Sequence, residues 1–367
     1  MGELDEMYRL LKTLAEARGA PGFEDEVRKE IIRLAADIVG RENVKVDRMG
    51  NVIAKLEGRP DLKVMLAAHM DEIGLLVTYI EKSGFLRVTN LGGVDPAILL
   101  GQRVVVLGRH GPIPGVVGCR PPHLMKPEER EKRPKLEELF IDIGAPSREA
   151  AERMGVSVGT PVVLERDVIR LGDGKIVTGK AFDDRVGCAV MLYALRLLKE
   201  QRPEATVYAV ATVQEEVGCR GARVAAFALE PDMAIAIDVT TANDVPGVEE
   251  REYVVRIGKG PAIKIMDRGA TLPILGLIAH PKVRELLIKA AEEEGIPWQP
   301  EILVGGTTDA ATIHLVREGI PSGVVSIPTR YIHSPVELLS LEDAVNAAKL
   351  LAAAIRRVKP GIFDEWA

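Results

Sequence analysis

Residues Thr206–Gly221 read TVYAVATVQEEVGCRG, an apolar, β-branched run that ends abruptly in two adjacent carboxylates, Glu215 and Glu216. Buried-strand character leading straight into a charged pair predicts a strand of an α/β sheet, because ligands of open α/β sheets bind outside the carboxyl ends of the strands. Where the pleat breaks down, neighbouring side chains can serve different atoms of one site, one carboxylate holding a metal while the other moves a proton. The competing reading is a solvated strand end carrying two surface glutamates. The rest of the chain decides between them.

At 367 residues and 47% hydrophobic the chain can bury a large core, and its length suits roughly two domains. A net charge of −6 with a pI near 5.7 leaves no basic footprint, so nucleic acid is not expected as a partner. No apolar run is long enough to span a bilayer and residues 1–26 are charged throughout, so neither a membrane span nor a signal peptide is expected, and the protein is assigned to the cytoplasm. Cys119, Cys188 and Cys219 are an odd set without CxxC spacing and read as packed thiols. Five Asn and four Gln beside 28% charged residues fit a thermophilic source.

Upstream of the opening strand, Met7, Leu10, Leu11 and Leu14, then Val27, Ile31, Leu34, Ala35 and Ile38, set out two amphipathic helices separated by GAPGF. A hairpin about Met49–Gly50–Asn51 follows, and the apolar strand Val64–Ala68 delivers His69 in AAHMDEIG. The imidazole suits a metal, and Asp71, two residues on, suits its second N–H. From about Leu75 to Glu165 short β runs alternate with turn signals, which predicts a small all-β module with one helix near Ser147–Met154, inserted between two halves of an α/β domain. Leu86, Val104, Val106 and Val116 are more apolar surface than so small a sheet with free edges can cover, so a partner surface is expected there. Inside the module Arg120–Lys135 is too rich in Pro and charge to pack and reads as an exposed loop, in its sharper reading a lid or interface arm. His110 and His123 are assigned to the surface.

Downstream, GKAFDDRVGCAVMLYALRLLKE sets Asp183 and Asp184 before a helix whose apolar face is Val186, Val190, Met191, Ala194, Leu195 and Leu198. One aspartate serves as the N-cap and the other is free to act as a ligand. A strand MAIAID then ends in Asp238, a helix spans about Pro281–Glu294, GGTTDA opens another, and SGVVSI runs into PTRYIHSP with His333. The last helix starts at a Ser340/Asp343 capping box, while His280 and His314 fall on helical patterns and read as structural. Jointly His69, Asp183 (standing for the pair), Glu216, Asp238 and His333 suit two divalent ions sharing a carboxylate. Nitrogen and oxygen donors without thiolate favour Zn, Co or Mn.

The ordered set AAHMDEIG, GKAFDDRVG, VQEEVG, AID, GGTTDA and IHSP, with a β module between the first two, resembles the M42 family of metallo-aminopeptidases, the tetrahedral TET aminopeptidases, over essentially the whole chain. The resemblance implies a mixed-sheet α/β catalytic domain, residues 1–74 and 166–367, with an inserted β-barrel-like, PDZ-like dimerisation domain, 75–165. It implies that Asp183 bridges two ions, that His69 and Asp238 complete one and Glu216 and His333 the other, that Glu215 is the general base, and that Asp71 orients His69. It further implies removal of N-terminal residues from short peptides inside a hollow tetrahedral dodecamer built from dimers. The first residue is expected to be neutral or apolar, its pocket formed about Asp267, Gly305 and Gly306. A di-metal carboxypeptidase or deacylase can share this ligand set; a glycosidase needs only two carboxylates and leaves both histidines unexplained.

Overall fold

Four strands run parallel through the middle of the molecule, in the spatial order Ala205–Thr212, Arg59–His69, Met233–Thr241 and Ser322–Arg330. The computed structural model describes residues 2–124, 132–269 and 276–362. Small and β-branched side chains bury these strands on both faces, as helical cover on both sides requires. Antiparallel strands extend the sheet: Val52–Leu56 and Val44–Val46 on one flank, Glu337–Ser340, Ile176–Gly179 and Ile169–Leu171 on the other. Ala262–Gly269, Gly276–Ile278 and Gln299–Gly305 form a side branch on Ser322–Arg330.

The helix Phe182–Glu200 lies on one face of the sheet and is itself covered by Glu3–Glu16, Asp25–Val39 and Leu341–Arg356, so it is buried nearly all round rather than along one stripe. Arg220–Leu229 and Ala310–Ile313 cover the other face. At the last helix the capping box is not made: the Ser340 side chain forms no cap bond. Asp343 instead accepts the N–H groups of Gly258 (2.6 Å) and Gly260 (2.8 Å). That turn, with both glycines at positive φ, offers two backbone donors where the cap would offer one.

The chain lays down Arg59–His69 first, then places Ala205–Thr212 on one side and Met233–Thr241 on the other, so the winding reverses at Arg59–His69. A crevice opens at the carboxyl end of such a strand. Pairing between Arg59–His69 and Met233–Thr241 stops at Ala67 opposite Ala236, just before His69 and Asp238. Asp238 is not the strand's last residue, as the sequence pattern implied: pairing with Ser322–Arg330 carries the strand on to Thr241.

Between Gly74 and Leu164 six antiparallel strands close into a barrel: Gly74–Ile80, Leu86–Leu91, Phe140–Asp142, Gly111–Gly118, Arg103–Gly108 and Pro161–Leu164, the last pairing back on the first. Closure bears out the barrel-like fold that the resemblance implied and corrects the expectation of free edges. Leu86, Val104 and Val106 point into the barrel and are buried, and of the four residues only Val116 is exposed, because a closed ladder has no edge and its inward positions pack on each other. His110 and His123 are exposed as read. The middle of the charged loop, 125–131, lies outside the described residues. Among the described residues no helix is long and apolar enough to cross a membrane.

Candidate metal centre and active site

His69, Asp183, Glu215, Glu216, Asp238 and His333 meet at the carboxyl ends of the parallel strands, where they line one cavity of about 720 Å³. Asp183 divides its two oxygens between the histidines: Oδ1 lies 3.0 Å from His69 Nε2 and Oδ2 3.2 Å from His333 Nε2. Asp238 Oδ1 is 4.0 Å from His69 Nε2, and Glu216 Oε1 is 3.3 Å from His333 Nε2. Two donor groups with metal-ligand spacing result, His69–Asp183–Asp238 and Asp183–Glu216–His333, with Asp183 common to both.

Local structure accounts for each placement. Asp184 takes the capping role, Oδ1 accepting the Gly187 N–H (3.0 Å) while Oδ2 accepts the His69 N–H (3.2 Å). This leaves Asp183 free for the site. Glu337, in HSPVE just beyond His333, accepts the backbone N–H groups of Asp183 (3.0 Å) and His333 (2.8 Å) and ties the two ligand-bearing turns together. His333 itself sits at φ 61°, unusual for a residue with a side chain.

Both imidazoles are held by carbonyl oxygens. Nδ1 of His69 lies 3.1 Å from the backbone oxygen of Asp71, and Nδ1 of His333 lies 2.8 Å from that of Gly93, in the barrel module. A carbonyl only accepts, so each Nδ1 carries a proton and each Nε2 is the ring atom left facing the carboxylates. Carboxylates crowded round two ring nitrogens in one buried site need positive charge between them, as protons or as cations. Burial opposes charge on His69, yet Asp183, Glu215, Asp71 and Asp238 hold its pKa well above the ordinary value. Burial also raises Asp238, with Asp183 beside it, and Glu215, with Asp238, Asp309 and Glu216 around it. Glu216 Oε1 is buried without a hydrogen bond. The donor set therefore fits divalent ions.

The Asp71 carboxylate stands 3.7 Å from His69 Nδ1 and is engaged elsewhere: it accepts the N–H groups of Glu215 (3.0 Å) and Glu216 (3.2 Å). Gln214 takes a positive φ of 57° just before them, and the turn aims successive N–H groups at one anion. A buried triad missed in the sequence braces the same strand exit: Glu72 accepts from Lys180 Nζ (2.8 and 2.7 Å), from Arg185 (3.3 Å) and from the Gly19 N–H (3.1 Å). Its signal was present, since Glu72 and Lys180 sit inside the motifs HMDE and GKAFDD. Gly305 and Gly306 line the cavity. Asp267 does not: it is buried beneath the wall, accepting from the Leu277 N–H (2.9 Å) and the Thr307 hydroxyl (3.1 Å), with Lys264 Nζ 3.6 Å away.

A sheet that gathers nitrogen and oxygen donors at its switch point, with a barrel inserted after the first ligand-bearing strand, defines a metal-dependent hydrolase. The family model for M42 glutamyl aminopeptidases matches residues 50–350, and the chain belongs to that family of metallopeptidases. An aminopeptidase from Desulfurococcus kamchatkensis is 48% identical with a TM-score of 0.91, over 97% of this chain and 96% of that one. The lysyl aminopeptidase of Pyrococcus furiosus is 40% identical over 97% of this chain and 99% of its own length. The Pyrococcus horikoshii TET1 peptidase, which assembles into a tetrahedron or a large octahedral shell, is 34% identical with a TM-score of 0.84, over 96% of this chain and 100% of that one.

Proposed function

We propose that the chain removes single residues from the free N-termini of short peptides, with Asp183 bridging two divalent ions, His69 and Asp238 completing one position and Glu216 and His333 the other. The observation that carries this reading is the division of Asp183 between two histidines whose Nε2 atoms both face it. Zinc or cobalt suits the donors best, with manganese possible on the same grounds. When bound, such ions supply Lewis acidity, polarising the scissile carbonyl, acidifying water and accepting the substrate's free amine.

Glu215 is the general base in this scheme. Its Oε2 lies 3.9 Å from His69 Nε2 at the cavity wall, and its raised pKa suits a group that takes a proton from the attacking water and hands it to the leaving amine. Asp71 acts one step back, holding the backbone of Glu215 and Glu216 so that one carboxylate faces the water and the other the ions. The glycine-lined side, at Gly305 and Gly306, leaves room for a neutral first side chain.

We further assign the cytoplasm as the site of action, residues 75–165 as the pairing module, and a tetrahedral dodecamer of dimers as the assembly. The relative from Pyrococcus horikoshii supports the assembly. So do the exposed apolar side chains of the barrel, Tyr79, Val116 and Val158, now that its strand edges need no partner. The decisive experiment pairs two neighbours on aminoacyl p-nitroanilides, with N-blocked substrates as controls. Glu215→Gln should lower turnover at least about 100-fold with metal content near normal, and Glu216→Gln should lower metal content. Reversed behaviour, or cleavage of the blocked substrates, would overturn the assignment.

A further inference from the structure

Beside Glu215 stands a group of donors that the proposed reaction does not use. The Cys219 thiol donates to Glu215 Oε1 at 3.1 Å, while the other oxygen, Oε2, faces His69. Asp309 approaches from a separate loop. Its Oδ2 accepts from the Thr212 hydroxyl at 2.5 Å, and its Oδ1 has no hydrogen-bond partner although the residue is only 3% exposed. An orphaned carboxylate oxygen at this depth needs a cation or a donor.

Glu215, Cys219 and Asp309 each offer one ligand atom, all within 4.8 Å of one another. In a tetrahedral zinc site with ordinary Zn–S and Zn–O bonds the ligand atoms are about 3.5 Å apart, so small rotations of the two carboxylates close the group around an ion. Glu215 and Cys219 line the cavity, which gives an ion a path from solvent. We propose that Glu215, Cys219 and Asp309 form a third cation site, inhibitory and selective for thiophilic divalent ions such as zinc and cadmium.

On binding, Cys219 releases its thiol proton to solvent, and its thiolate joins two carboxylates around the ion. The inhibition rests on Glu215 acting as the base, because a carboxylate engaged by a cation no longer accepts the water's proton. Selectivity follows from softness: the two proposed working positions use only nitrogen and oxygen, whereas this one adds sulfur.

The test uses enzyme loaded with cobalt at its two working positions and titrated with cadmium. One thiolate-to-cadmium charge-transfer band should grow to a single equivalent while the visible cobalt spectrum is unchanged, and turnover should fall at least about 100-fold along the same titration curve. Cys219→Ser should abolish the band and raise the half-inhibiting concentration at least about 10-fold; Asp309→Asn should weaken cadmium binding with the band retained, and Cys119→Ser should change neither. Absence of the band, or its survival in Cys219→Ser, overturns the site. A saturated band with undiminished turnover would support the site and overturn both the inhibition and the role of Glu215.

Discussion

Asp71→Asn tests how the two adjacent glutamates are held. The carboxylate is fully buried and accepts two backbone N–H groups, from Glu215 and Glu216. An asparagine of the same shape accepts one and turns its NH₂ towards the other. Each charge-assisted bond contributes about 1.5–3 kcal/mol, a neutral replacement about 1, and a buried N–H left without an acceptor costs about 1–3 kcal/mol. Burial already raises the Asp71 pKa, so removing the charge offsets part of the loss, and the net destabilisation should be about 2–4 kcal/mol. Denaturant unfolding of matched metal-loaded samples measures this directly. Hydrogen exchange of the 213–218 segment adds a local readout, since 2 kcal/mol of lost protection is about a 30-fold faster exchange. Turnover should fall at least about 10-fold, because both glutamates shift relative to the ions. A variant with lost turnover but unchanged stability and unchanged exchange in that segment would refute the reasoning, and would return Asp71 to acting through His69 alone.

Glu72→Gln leaves Lys180 and Arg185 buried without their anion, and should destabilise by about 3–5 kcal/mol in denaturant unfolding; an unchanged midpoint would show that the triad is not coupled to folding. Asp343, pushed up to about 6 mainly by burial against the pull of two N–H donors, is held protonated more readily folded than unfolded. Its contribution is therefore fully present below the unfolded pKa and lost as pH rises, so wild type should lose about 3 kcal/mol relative to Asp343→Asn between about pH 4 and pH 7; a difference independent of pH would refute this. Thorough chelation should abolish turnover and lower the unfolding temperature, with two equivalents of zinc or cobalt restoring both, and full activity without metal would exclude the two-ion reading. Light scattering should find a dodecamer; an active monomer at micromolar concentration would remove the assembly proposal and leave the catalytic one.

Much of the architecture was legible because hydrophobic patterning is local. Buried-strand runs ending in His69, Glu215–Glu216 and Asp238 announced an α/β sheet with chemistry at its carboxyl ends, and the crevice lies there. Alternating short runs announced the β module, while its barrel-like closure came only from the family resemblance, since pairing of Gly74–Ile80 with Pro161–Leu164 joins strands at opposite ends of the insertion. That single pairing removed the free edges on which the first argument for a partner rested.

By itself the sequence determined the residue types at the site and the order in which the strands deliver them, because both follow from periodicity and short motifs. Only the tertiary structure decided which hydrogen bond each side chain makes. Asp184 became the cap and left Asp183 to the histidines, Asp71 turned from His69 to backbone 144 residues away, Asp267 sank beneath the cavity, and His333 found a carbonyl 240 residues distant in the barrel. The physical reason is that a carboxylate or imidazole can satisfy itself in several ways, and burial selects among the donors that folding happens to bring within about 3 Å.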